Sequence, residues 1–454
     1  MSLRACFPWM VGTLLLAQDG SLPARVGELE RVGEGGREVL VIGLDAPGFE
    51  RLRPSTRKFA YYLSRAAIAG NDILYLQNHR YAWDIKELFE TLYVHRAQLE
   101  PAVAQAVEEY LKRVWTHHGQ YLHYPGTKFV PRNLTYRELQ GAVATLRKHR
   151  VAPTFRPGVS LDVLRPHIFD AKVEPLLTQT TVGQDLIQGS AINLYDRGLT
   201  QKAVEAAPKA AQGQINVRFA RKGRLAVPEV FKVGGVYGEA LGHVVFWLKK
   251  ALPYVDQELV EVEKDGVRKP RYVPAPVQKQ ALEDLIAFFE TGDEAKFRDH
   301  TLAWLKVKGT VDYLNGFHEV YKDPRGIIGS YQANVSFRTD AELLDRLTQH
   351  AAYFEQRMPW DDAWKRTQVQ PPVAVVVHLL TATSDGGPIS AAAYNLPNDS
   401  AIRRDHGEAE GRRGVERVDD MQIMRPGLGE ILPRVRGGVA ADIGTLPAFA
   451  RAVR

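Results

Sequence analysis

Asn315-Gly-Phe-His-Glu-Val-Tyr-Lys-Asp-Pro-Arg-Gly326 runs directly into Ile327-Ile-Gly-Ser-Tyr-Gln-Ala-Asn-Val-Ser-Phe337, and this stretch decides the fold class. Its second half alternates apolar and polar side chains and reads as a strand. Its first half carries a turn, Lys322-Asp-Pro-Arg-Gly326, beside which Glu319 and Tyr321 stand two residues apart. Downstream, 340–357 has helical spacing. Pro371 to Thr383 then contains the dense β run Val373-Ala-Val-Val-Val377, which needs partner strands in the preceding part of the chain.

Upstream, Ile215-Asn-Val-Arg-Phe219, a turn at Arg221-Lys-Gly-Arg224 and Val227 to Val233 predict paired strands. Helical spacing recurs from Arg57, at Trp83–Leu92, from Pro101 to Val114, and over 238–251 and 277–290. Val39-Leu-Val-Ile-Gly43 predicts a short strand. There is no internal repeat, and the class is mixed, α+β. After His406 the character changes. Residues 407–454 hold eight Arg, no Lys, eight Gly and one aromatic residue, Phe449, so this tail is expected to bury little and to be poorly ordered.

Composition narrows the function classes. With 454 residues, 45% hydrophobic and 25% charged, the chain is an ordinary globular one, long enough for two or three domains. The net charge of +6 comes from interleaved acids and bases with no basic stripe, so no nucleic-acid partner is expected. No run reaches the ~20 apolar residues of a membrane helix. The opening Cys6-Phe-Pro-Trp-Met-Val-Gly-Thr-Leu-Leu-Leu-Ala17 is a weak export signal, a short buried segment or a misplaced start. A cytoplasmic location is expected, with export the alternative. Cys6 is the single cysteine, which rules out a disulfide within one chain and any Cys-rich zinc site. A metal would have to be held by His and carboxylates.

Further segments carry a resemblance. They are Tyr62–Tyr75 with Gln77-Asn-His-Arg-Tyr81, Trp115–Tyr124 with Lys128-Phe-Val-Pro131, Gly234-Gly-Val-Tyr-Gly238 and Phe289-Glu-Thr-Gly-Asp293. To these add Asn315–Gly326, Tyr353-Phe-Glu355 with Met358-Pro-Trp-Asp361, and Thr381–Pro388 with Asn395-Leu-Pro-Asn398. In this order, from about residue 46 to 405, the chain resembles the bacterial type of the dipeptidyl peptidase III family, peptidase family M49.

The resemblance implies a two-lobed fold. It expects 1–45 as an N-terminal segment, 46–337 as a lobe built around a small five-stranded β-barrel, and 338–372 as the start of a helical lobe. It expects 373–405 as a return to the barrel and 406–454 as a tail outside the family pattern. It also implies release of N-terminal dipeptides from short peptides by a zinc enzyme, here expected as a monomer. The peptide lies as an added strand, its ammonium held by Glu319 and Tyr321 of the Gly-Phe-x-Glu-x-Tyr segment and by Asn395 and Asn398. Where the family has a further Glu after the glycine turn, this chain has Gln332, which removes a negative charge. The run His117, His118 and His123 reads as packing and hydrogen bonding.

The family's zinc ligands and base come from His-Glu-x-x-x-His and Glu-Glu-x-Arg-x-Glu helices. Neither motif occurs in this sequence. The one His-Glu pair is His318-Glu319, and position 323 is Asp. The zinc site and most of the helical lobe are therefore expected to be missing, through a frameshift or a different natural C-terminus. Three readings stay open: a peptidase by descent that is inactive alone, a non-catalytic peptide-binding module, or a fragment that folds poorly.

Overall fold

The computed structural model describes residues 48–255, 257–264, 267–307, 309–339, 349–367, 374–389, 393–399 and 421–425, with 30–31, 38–41, 439–440 and positions 46, 369 and 402. Helices α1 (Pro54–Ala69), α2 (Asn71–Asn78), α3 (Ala82–Val94), α4 (Pro101–His117), α5 (Tyr136–Lys148) and α6 (Leu161–Phe169) come first, after the short strands β1 (Glu30–Arg31) and β2 (Glu38–Val41). The short helices α7 (Gln201–Glu205) and α8 (Lys209–Gln212) lead to the hairpin β3 (Val217–Lys222) and β4 (Leu225–Val230). Next come α9 (Gly238–Ala251), the hairpin β5 (Gln257–Lys264) and β6 (Val267–Pro274), α10 (Pro276–Thr291) and α11 (Glu294–Trp304). Strands β7 (Val311–Glu319), β8 (Ser330–Thr339), β9 (Ala374–Ser384), β10 (Ala393–Asn395), β11 (Met421–Arg425) and β12 (Val439–Ala440) close the chain, with α12 (Ala351–Gln356) after β8.

Local chemistry sets these boundaries. Pro101 and Pro276 open α4 and α10, where their missing N–H is harmless. Thr135 and Glu138 form a reciprocal capping box on α5. Gly292, at φ 75°, stops α10 in the left-handed conformation.

The main sheet runs β10-β11-β9-β8-β7. β7, β8 and β9 are antiparallel neighbours, β11 lies parallel to β9, and β10 is antiparallel to β11. The Val-rich run therefore finds its partners, with Val377 opposite Arg338. Among the described strands this sheet is open, with β7 and β10 as its edges, so the expected closed barrel is not present there. Closure needs an edge-to-edge pairing, and β10 is only three residues long. The tail expected to contribute little supplies β11 within the sheet and β12 beside β2; its other residues lie outside the described ones.

β7 is buried throughout Val311–Phe317, without the two-residue alternation of a half-wet strand. Phe317 packs on Phe231, Phe288, Phe289 and Tyr331, and Tyr313 on Phe59 and His300. Apart from His300, these rings belong to the core that joins α1, α9 and α10 to the sheet. A second core, built from Ile85, Leu88, Val107, Leu111, Leu139 and their neighbours, holds α3–α6 together. The α1–α2 junction meets the sheet at Gly70, where a Cβ would stand 2.2 Å from the Tyr331 hydroxyl. No helix among the described residues is long and apolar enough to cross a membrane.

Candidate functional site

The pairing of β7 with β8 shifts between Phe317 and Glu319, so that Glu319 faces Ser330 across the sheet. Such a bulge re-aims side chains at a strand end. Here it delivers Glu319 to the start of the 320–329 turn. Asp323 pins that turn: its carboxylate accepts from the Tyr195 hydroxyl at 2.6 Å and from the backbone N–H of Ile327 and Ile328 at 2.9 and 2.8 Å. The Thr178 hydroxyl donates to the Lys322 carbonyl at 2.6 Å. Tyr321 and Lys322 therefore sit on a fixed backbone.

At this strand end the predicted residues meet in part. The Asn398 amide lies 3.4 Å from Glu319 Oε2 and 3.4 Å from the His318 carbonyl. Tyr321 donates its hydroxyl proton to Asp385 Oδ2 at 2.7 Å. Burial pushes the Glu319 carboxyl above its ordinary range, the Asp385 charge adds to this, and the Asn398 contact opposes it. Asn395 ends β10, its backbone paired with Met421; its side chain lies outside the described residues. Gln332 is buried opposite Gly316, and its Oε1 has no hydrogen-bond partner.

The histidine run lies against the same site. His118 Nε2 is 3.1 Å from Asn71 Oδ1, which also accepts from the Ser384 backbone N–H. His117 Nδ1 accepts from the His123 backbone at 3.3 Å, and His123 Nε2 stands 3.5 Å from Asp385 Oδ1. Burial holds all three rings neutral. His117 and His118 are lowered to about 3, and His123 is well below its ordinary value. Asp385 is the residue the sequence reading missed. Its Asp-Gly-Gly context reads as turn chemistry, and only the three-dimensional contact with Tyr321 marks it.

One metal-competent group occurs among the described residues, His79, His167 and Glu174. Its donor set does not fit zinc. His79 Nδ1 accepts from the Tyr81 backbone N–H at 3.1 Å and lies 2.9 Å from the Gln120 amide nitrogen, so the ring proton sits on Nε2. That proton faces Glu174 Oε2 at 2.8 Å. Arg80 and Arg197 occupy the other carboxylate oxygen at 2.6 and 2.8 Å. A zinc ligand would need a bare Nε2 and a carboxylate free of two guanidinium partners.

Two solved structures share this α+β architecture. Dipeptidyl peptidase III from Caldithrix abyssi superimposes with a TM-score of 0.56 at 18% identity, over 85% of this chain and 57% of that one. Dipeptidyl-peptidase III from Corallococcus sp. strain EGB gives 0.51 at 17%, over 84% and 56%. The family model of peptidase family M49 matches residues 237–408 of this chain. Dipeptidyl peptidase 3 of Dictyostelium discoideum is 24% identical over 409 residues, 82% of this chain and 54% of that protein. The Mus musculus protein of the same name is 26% identical over 407 residues, 79% and 52%. The chain thus spans about half the length of the curated relatives it matches.

Proposed function

We propose that this chain binds the amino-terminal end of short peptides at the bulged end of β7 and does not hydrolyse them by itself. The observation that carries the reading is the convergence of Glu319, Tyr321 and Asn398 at the end of an edge strand. An extended peptide adds to such an edge through main-chain hydrogen bonds, and its ammonium meets the Glu319 carboxylate. Asn395, three residues before Asn398, completes the set in this reading. Gln332 lowers the negative charge there and weakens the hold on the ammonium.

Zinc would supply an activated water and a polarised scissile carbonyl. The cluster at Glu174 does not suit it, and the sequence contains no His-Glu-x-x-x-His. The chain alone is therefore a peptide-binding unit with the lineage of a dipeptidyl peptidase. The test is metal analysis after equilibration with zinc, together with an assay of dipeptide release. The expected result is less than stoichiometric zinc and no release above background. One zinc per chain with chelator-sensitive release would overturn the reading.

A further inference from the structure

The turn after β9 places a buried carboxylate behind the half-exposed Tyr321. The Asp385 side chain is fully enclosed and has two separate sets of partners. Oδ2 takes the Tyr321 proton at 2.7 Å. Oδ1 lies 3.4 Å from Lys322 Nζ and 3.5 Å from His123 Nε2. The Asp385 backbone N–H donates to the Tyr331 carbonyl at 3.1 Å, which fixes the turn against β8. Lys322 is only 3% exposed, and its one ion pair among the described residues is with Asp385.

This arrangement exceeds what packing requires. Tyr321 is 50% exposed, so water alone would satisfy its hydroxyl. Burying a carboxylate costs several kcal/mol unless a partner charge offsets it, and Lys322 provides that charge. What the carboxylate adds is direction. It takes the only proton on the Tyr321 hydroxyl, leaving only lone pairs to face a ligand. A hydroxyl so committed accepts, far more strongly from a charged ammonium than from a neutral amide, and cannot donate to a carbonyl.

We infer that Asp385, neutralised by Lys322, is a positioning residue that makes the Tyr321 hydroxyl an obligate acceptor for the donor group at a peptide's amino end. The inference rests on the peptide-terminus reading given above. Because Asp385 acts through Tyr321, its removal should matter only while the tyrosine hydroxyl is present.

A double-mutant cycle on the full chain tests this, with tetra-alanine and its N-acetyl form titrated by calorimetry. Tyr321→Phe and Asp385→Asn should each weaken tetra-alanine binding about tenfold, the scale of one charge-assisted hydrogen bond. The double variant should lose no more than either single one, and the N-acetyl peptide should be affected by less than about twofold. If Asp385→Asn proves too unstable to titrate, Lys322→Met combined with Asp385→Asn removes the buried charge imbalance and should show the same loss. Additive losses, or wild-type affinity in Asp385→Asn, would overturn the assignment while leaving the site itself intact. Failure of the wild type to bind tetra-alanine, or a Glu319→Gln variant that binds as well as wild type, would remove the underlying reading and this inference with it.

Discussion

Glu319 stands where a strand end, a bulge and a neighbouring buried carboxylate act on one side chain. Only its ionised form attracts an ammonium, so the proposed peptide affinity should be present above its folded-state pKa and be lost as pH falls through it. Burial and Asp385 raise that value above the ordinary ~4.3 of a glutamate, so the loss begins at a higher pH than for a free side chain. Titrating tetra-alanine from neutral to acid pH should show this early loss, and Glu319→Gln should flatten the curve. An unchanged acid limb in Glu319→Gln would assign the titration to another group. At this scale the site was partly legible. Glu319, Tyr321 and Asn398 stood out through the resemblance of the Gly-Phe-x-Glu-x-Tyr and Asn-x-Pro-Asn segments to the family pattern, since on local chemistry alone they read as a solvated pair and a turn. Asp385 did not, since nothing local ties it to a tyrosine 64 residues earlier.

Among the elements, the junction around Glu174 carries the most concentrated electrostatics. The residue adopts φ 52°, an uncommon conformation for a non-glycine, and its carboxylate gathers His79, Arg80, His167 and Arg197 from three separate segments. Burial works against ionisation, but the hydrogen bonds from His167, His79 and Arg80 outweigh it and hold the carboxyl well below its usual range. Glu174→Ala leaves two guanidinium groups and two buried imidazoles without their acceptor. It should cost roughly 3 kcal/mol, the low end for a broken buried network because both arginines remain part-exposed. An unfolding free energy, from urea denaturation, lowered by less than about 1 kcal/mol would show that water replaces the carboxylate. Elements with strong periodicity were legible, α9 to the residue. Two were missed despite available signals: the Thr135/Glu138 capping box of α5, and the Asp265-Gly266 dipeptide between β5 and β6. β11 carried no such signal, because its place depends on a parallel pairing with β9 across the 36 residues between the two strands.

At the scale of the whole molecule, buried neutral histidines dominate the response to acid. His79 and His300 are lowered to about 4 and His117, His118 and His318 to about 3, while His123 is also well below its ordinary value. Burial is the largest cause for every one of them. An unfolded chain protonates these rings near pH ~6.5 and the folded chain does not. The unfolded state therefore binds more protons from about pH 6.5 downward, and stability falls as pH drops through that window. Each ring is worth roughly 1–2 kcal/mol at about pH 5. Urea midpoints should decline steeply between about pH 6.5 and 4.5, and a flat profile there would mean that the rings are hydrated.

Recognition of a peptide's amino end by the site on β7 is what the proposed function rests on. Calorimetric titration of tetra-alanine and N-acetyl-tetra-alanine into the wild-type chain, with a chelator present, addresses it most directly. Saturable binding of the free-amine peptide is expected, at least about tenfold tighter than that of the acetylated one, the scale of one charge-assisted contact. Equal affinity for the two peptides, or no binding of either, would contradict it.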